Sequence, residues 1–342
     1  MIKNKTLLLY VILSALIGSS ITFFAFIKMA KNKEEKIREA EISGVKEGKD
    51  GSNCNYSINR LSGYKYTHPL FSTEPECQAA KYNSLQTTIA EFIENEKSNG
   101  LSEASVYLMD FSGNTWMDVN ENEKYTPGSL FKVVTLVAYL RLAETKPGVL
   151  EEEIEFSNNN NERAHPQTFN SKTIKEGNRY KVKELLHYMI AYSDNNATML
   201  LHKFVDVGMF QKIFSDIGLR VPDMHGQSYQ MSVKEYSKFL RVLYDGGYLT
   251  ITASDYALSL LAECDFKEGI VSELPPTVKV AHKFGQAGTP EFPELHESAI
   301  IYLDNRPYLL TIMTRGRDIK NQAKVIGHIS RIVYDKMIGD PV

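Results

Sequence analysis

Apolar and polar positions alternate along this chain in blocks that predict distinct elements. Leu85, Ile89, Phe92 and Ile93 recur at helical spacing, so residues 78–97 predict a packed helix. Residues 104–109 and 115–119 flank the polar triplet Ser112-Gly113-Asn114 and predict a two-stranded hairpin. An almost unbroken apolar run then follows Lys132 as far as Leu142, the pattern of a buried helix. Asn158 to Asn178 is polar and carries Pro166, which predicts a surface loop. Helical periodicity returns in 183–192, 197–205, 209–217 and 233–244, with Gly218 and Gly246-Gly247 as stops. Strand patterns occupy 277–284, 298–303 and 308–314, the last two joined by a turn at Asp304-Asn305-Arg306-Pro307. A helix over 321–338 closes the pattern. Strands at both ends with helices between them predict an α+β fold: an antiparallel sheet covered by helices, with an all-helical lobe in mid-chain.

The N-terminal pattern differs. Residues 1–5 form a short leading segment, and residues 6–27 form an uncharged apolar run long enough to cross a bilayer as a helix. Neither a small-residue cleavage site nor a lipidation cysteine closely follows, so an uncleaved membrane anchor is expected. Residues 28–74 read as a charged juxtamembrane helix and a polar linker, and residues 75–342 as the folded domain. Lys3 and Lys5 precede the span, whereas Lys28, Lys31, Lys33, Lys36 and Arg38 follow it. Counted locally, those charges favour retaining the domain inside.

Composition narrows the chemistry. With 43% hydrophobic residues and a net charge of -3 from 39 basic and 42 acidic side chains, the chain fills a globular core and offers no basic surface for nucleic acid. Small-molecule or peptide substrates fit better. The eight histidines are scattered and the three cysteines, Cys54, Cys77 and Cys264, lack metal-ligand spacing, so neither a metal nor another cofactor is expected. In an oxidising compartment Cys54 and Cys77 could pair, whereas Cys264, in an apolar helical stretch, reads as a core residue.

The candidate chemistry begins at Ser129. Pro127 and Gly128 punctuate the chain, Ser129 opens the buried helix, and Lys132 lies one turn on, where its amine can reach the hydroxyl. A lysine desolvated in an apolar wall sheds its proton more readily and can serve as the base. Chance S-x-x-K pairs occur at Ser43 with Lys46 and Ser62 with Lys65, but in polar surroundings with no apolar helix behind them. Downstream stand Ser193-Asp194-Asn195, between two helical patterns, and Lys283-Phe284-Gly285, on a strand.

With these three motifs in that order, the chain resembles the serine penicillin-recognising enzymes, class A β-lactamases above all, from about residue 78 onward. The resemblance implies a three-layer α/β/α fold and an acyl-serine mechanism on β-lactams or D-alanyl peptides. It gives Ser129 the role of nucleophile, Lys132 that of base or proton relay, and Ser193 that of proton donor toward the leaving nitrogen. Asn195 would hold Lys132 and the substrate amide, with Asp194 fixing the turn. Lys283 would supply positive charge beside Gly285, and the backbone N–H groups of Ser129 and Gln286 would form the oxyanion hole. Such substrates lie outside the cytoplasm, so the resemblance places the domain extracytoplasmically, against the local charge count. Two departures stand out. Phe284 replaces the family's hydroxyl, a change that matters little if the ring points into the fold. No Glu appears between Asn196 and the helix at 233–244, where the family carries its deacylation base, leaving Asp223 and His225 as candidate substitutes.

Overall fold

The structure is a computed structural model that describes residues 56–60, 70–75, 80–111, 115–157, 168–169, 171–223, 229–303 and 306–339. The apolar span at 6–27, the Cys54–Cys77 pair, the Ser112-Gly113-Asn114 turn and His225 lie outside the described residues. Among the described residues, no helix is long and apolar enough to cross a membrane.

The stretch read as a linker carries an antiparallel pair, β1 (Tyr56–Arg60) and β2 (Leu70–Pro75). The domain's sheet follows. Helix α1 (Asn83–Glu96) precedes β3 (Leu101–Asp110) and β4 (Thr115–Val119), and β7 (Lys279–Gly288), β8 (Pro293–Tyr302) and β9 (Tyr308–Gly316) return late in the chain. Together they form a five-stranded antiparallel sheet in the order β4-β3-β9-β8-β7. The first and last segments of the domain therefore pair at its centre, β3 against β9. That leaves β7 as an edge strand, with one side free to border a cleft.

Eight α-helices are present among the described residues. Helix α1 and the long C-terminal helix α8 (Ile319–Gly339) cover one face, where Ile89, Leu108, Ile312, Ile326 and Val333 form a core with essentially no exposure. A larger core on the other face holds α2 (Lys132–Thr145), α3 (Val182–Ala191), α4 (Asn195–His202), α5 (Val207–Asp216), α6 (Val233–Tyr244) and α7 (Ile251–Ala262). This is the expected three-layer arrangement with its helical lobe. Helix α2 is buried from Lys132 through Leu140, which accounts for its apolar character on every side. Each such Val or Leu contributes about 1.5–3 kcal/mol on burial. Helix α6 instead shows one apolar stripe, and its start is fixed by a capping box of Ser232 and Glu235. A short ladder, β5 (Glu153–Glu155) with β6 (Arg179–Lys181), closes the base of the loop between α2 and α3.

The layers are tied by one buried carboxylate. Asp110 Oδ2, at the end of β3, accepts from Tyr82 Oη at 2.9 Å, Lys81 Nζ at 3.2 Å and Arg306 Nη2 at 3.2 Å. Arg306 also donates to the Met337 carbonyl in α8. Asp110→Ala leaves this mostly buried guanidinium without its counter-charge and is expected to cost about 3–5 kcal/mol, read as a lower urea midpoint with unchanged slope. A change below about 1 kcal/mol would show that the junction is dispensable.

Candidate active site

Ser129 sits in a 3₁₀ turn, Gly128–Phe131, that runs directly into α2, and it is 8% exposed at the floor of the cleft. The turn is clamped from several sides. Tyr125 exchanges backbone hydrogen bonds with Met231, Thr126 N donates to Glu294 Oε2 at 3.0 Å, and Tyr236 Oη donates to the Leu130 carbonyl at 3.0 Å. Edge strand β7 presses against the same turn. A Cβ at Gly285 would lie 2.6 Å from Pro127 O and 2.8 Å from Leu130 N. Gly128, at φ +55°, has Gln286 O just 2.1 Å from where its Cβ would be. Glycine is required at both places so that strand and turn can meet backbone to backbone. The amides of Ser129 and Gln286 thus come from two segments in close apposition.

The second motif lies across the cleft. Asp194 caps α4, accepting from Asn196 N and Ala197 N, and binds the loop through Thr173 Oγ1 at 2.8 Å and Ile174 N at 2.9 Å. Its role is to hold the turn, as read from sequence. Ser193 adopts φ +53°, a conformation rare for a side chain with a Cβ, which such a fixed turn can impose. The result points Ser193 and Asn195 at Lys132. Lys132 Nζ donates to Ser193 O at 2.6 Å, Ser193 Oγ at 3.1 Å and Asn195 Oδ1 at 2.7 Å.

Lys283 reaches Ser193 from β7. Its Nζ donates to Ser193 Oγ at 2.9 Å and to the Phe284 carbonyl at 2.7 Å, so two lysines converge on one hydroxyl. Phe284 turns to the opposite face of the sheet, unexposed, and stacks on Phe266 with centroids 4.4 Å apart. The substitution is thus a packing residue, and the hydroxyl is absent from the site. Gln286 Oε1 accepts from Thr168 N at 3.0 Å, and its buried Nε2 has no hydrogen-bond partner among the described residues.

Burial and charge set different states for the two amines. Desolvation, reinforced by Lys283 and opposed by Asp194, holds Lys132 well below the usual lysine range. Burial lowers Lys283 to about 8, while Cys264, Glu297 and Asp265 pull it upward. Lys132 is the amine that most readily stands neutral. Sequence reasoning missed His202, which bonds Thr135 Oγ1 at 2.9 Å and is lowered by burial and by Lys132, hence a neutral neighbour. A lone histidine in an amphipathic helix carries no sequence signal. Asp223 is exposed in the loop after α5. Among the described residues no cluster of His, Cys, Asp and Glu could hold a metal ion.

Sequence comparison with curated proteins finds no significant match. Known structures are more informative. A class A β-lactamase from Bacteroides cellulosilyticus superposes with TM-score 0.64 at 18% identity, covering 75% of this chain and 99% of its own. A β-lactamase from Chitinophaga pinensis gives 0.63 at 19%, covering 72% and 98%. A PBP-A variant in an acyl-enzyme complex with penicillin G gives 0.60 at 19%, covering 74% and 95%. At these identities the likeness establishes the fold. The model of the β-lactamase enzyme family matches residues 84–337, a span that holds the serine turn, the Ser193 turn and edge strand β7, and the chain therefore belongs to that family as a class A β-lactamase-like serine hydrolase.

Proposed function

We propose that the protein is a membrane-anchored, extracytoplasmic acyl-serine enzyme that takes β-lactams or D-alanyl peptides and releases the acyl group slowly. The observation that carries the reading is the convergence of Lys132 and Lys283 on Ser193 Oγ beside the serine turn. A neutral Lys132 accepts the Ser129 proton as Oγ attacks the carbonyl carbon. The amides of Ser129 and Gln286 receive the oxyanion that forms. Ser193 then donates a proton to the departing nitrogen and is resupplied by the lysine ammonium hydrogen-bonded to it. PBP-A supports the substrate class, since its variant was captured acylated by penicillin G.

Slow release follows from the carboxylates at hand. Between Asn196 and α6 the acidic residues are Asp206, Asp216 and Asp223. Asp206 caps α5, and Asp216 is engaged by Lys212 and Tyr248. A water that must attack the acyl carbonyl therefore lacks the Glu that class A β-lactamases place there. A β-lactam trap or sensor and a D,D-peptidase are the related readings, and both share the acylation step. Anchoring rests on the apolar run at 6–27, and the outward orientation on where such substrates are found.

Three outcomes check the reading. Intact mass after incubation with penicillin should show one long-lived adduct, absent in Ser129→Ala, and Lys132→Ala should slow its formation about 10²- to 10⁴-fold. Rapid hydrolysis with no accumulating adduct would overturn slow release, and no adduct with any penicillin or D-alanyl peptide would overturn the acyl-serine reading. The acylation rate should be bell-shaped in pH. It rises as Lys132 loses its proton and falls as Lys283 loses its own near pH 8, the two limbs belonging to the coupled pair. In Lys283→Ala the alkaline limb should vanish, and its persistence would detach Lys283 from the chemistry. Protease added to intact cells should digest the domain, whereas protection until lysis would reverse the orientation.

A further inference from the structure

The Lys283 ammonium has no N–H left to offer a substrate. An ammonium carries three donors and no acceptor. Lys283 Nζ lies 2.9 Å from Ser193 Oγ and donates to the Phe284 carbonyl at 2.7 Å, which leaves the third N–H to the ring face of Phe284, whose centroid is 4.2 Å away. The residue has no exposed surface. Its charge is answered as well, since the carboxylates of Glu297 and Asp265 both act on it. A carboxylate brought by a substrate would find this amine saturated and already balanced by like groups.

What lies beside the amine is aromatic. Phe284 stacks on Phe266 with centroids 4.4 Å apart, and Phe169 meets both edge-on, at 5.0 Å from Phe266 and 6.5 Å from Phe284. Phe266 and Phe284 are buried, whereas Phe169 is half-buried and is the member of the three with surface to present. Its position in the loop between α2 and α3 is fixed on both sides. Thr168 N donates to Gln286 Oε1 at 3.0 Å, and Ser171 Oγ donates to Asp265 Oδ2. Thr173 Oγ1 and Ile174 N then bind Asp194. Described residues of this loop therefore touch both β7 and the Ser193 turn, the two walls of the cleft.

β-Lactams and D-alanyl peptides carry a carboxylate next to the leaving nitrogen. A site that anchors this group needs an open cation or hydroxyl at that end, and here Lys283 is saturated and position 284 holds a ring. We propose that the site selects acyl donors whose leaving side is neutral and apolar, an ester or amide in place of the free carboxylate, with Phe169 as the surface that this side meets. The inference rests on the acyl-serine reading above and narrows its substrate class. Placing an unpaired carboxylate against such rings costs its hydration without repayment, whereas an ester removes apolar surface from water on both partners. Attack by Ser129 and the proton transfers through Lys132 and Ser193 are unaffected, because none of them uses the carboxylate.

The test uses the full chain and two forms of one penicillin, the free acid and its methyl ester. Acylation is followed by intact mass with Ser129→Ala as the blank. Each rate constant is divided by that compound's own rate of hydrolysis in hydroxide, which removes differences in ring reactivity. The ester should acylate at least about tenfold faster than the acid. The acid's rate should also be insensitive to salt, since no exposed cation draws it in. A smaller ratio, or an acid rate that falls steeply with salt, sinks the selection and leaves the acyl-serine reading standing. No adduct from either form removes that reading and this inference with it. Phe284→Thr puts a hydroxyl beside Lys283 and should raise the acid's rate, bringing the ratio toward one, with folding checked by circular dichroism. Phe169→Ala, in a surface loop, should lower the ester's rate alone, and an equal loss for both forms would refute its role in the selection. The wild-type comparison of acid with ester stands even if Phe284→Thr does not fold.

Discussion

Two amines and one hydroxyl, gathered where water is excluded, set the terms for everything around them. Lys132 is 4% exposed and Lys283 not at all, and both amines lie within hydrogen-bond distance of Ser193 Oγ. Two ammonium groups so placed repel each other and each lacks hydration, so the arrangement is stable only with one proton fewer than two isolated lysines would carry. The partners decide which amine gives it up. Lys283 has Glu297, Asp265 and Cys264 near it to favour its charge, whereas Lys132 has mainly Asp194, set against the repulsion of Lys283. One base and one acid on either side of a hydroxyl is the division of labour that an acyl transfer needs.

The fold can be understood as the apparatus that enforces this meeting. Ser129 and Lys132 come from the start of α2, Ser193 and Asn195 from the turn between α3 and α4, and Lys283 from an edge strand late in the chain. Three local devices bring them together. Gly128 and Gly285 let β7 touch the serine turn, and Asp194 ties the Ser193 turn both to its helix and to the loop before it. Pairing of β3 with β9 at the centre places β7 at the rim, which gives the cleft one straight wall.

Most of this architecture was legible in the sequence because its signals are local. The 233–244 helix was read to the residue, since Ser232 and Gly246 bracket a strict apolar stripe. Strand ends were less visible. β7 runs on to Gly288 and β8 begins at Pro293, both beyond the apolar stretches, because the pairing of Gly285 with His296 and Gln286 with Leu295 is decided by register and not by composition. The β1–β2 pair was invisible for the same reason, its short mixed sequences showing no sustained alternation and its two strands being defined by their pairing. Among site residues, Ser129, Lys132, Ser193, Asn195 and Lys283 could be named from motif order, and the structure gathers them. His202, Glu297 and His282 could not, since each is a single residue whose partner is distant in sequence.

The strand that carries Lys283 shows why Phe284 is compatible with the site. Along β7 successive side chains face opposite cores: Ala281 belongs to the helical-lobe core, whereas Val280 and Phe284 belong to the core under α8. Lys283 and Gly285 therefore face the serine turn, while His282 and Phe284 face away. The Phe284 ring packs in an aromatic cluster with Phe266 and Phe169, and the Lys283 ammonium lies 4.2 Å from its centroid. The two faces are still mechanically joined, because a rotation of the backbone at His282 also rotates Lys283. Whatever holds His282 in register, the carboxylate of Glu297 first, also fixes the angle at which Lys283 meets Ser193.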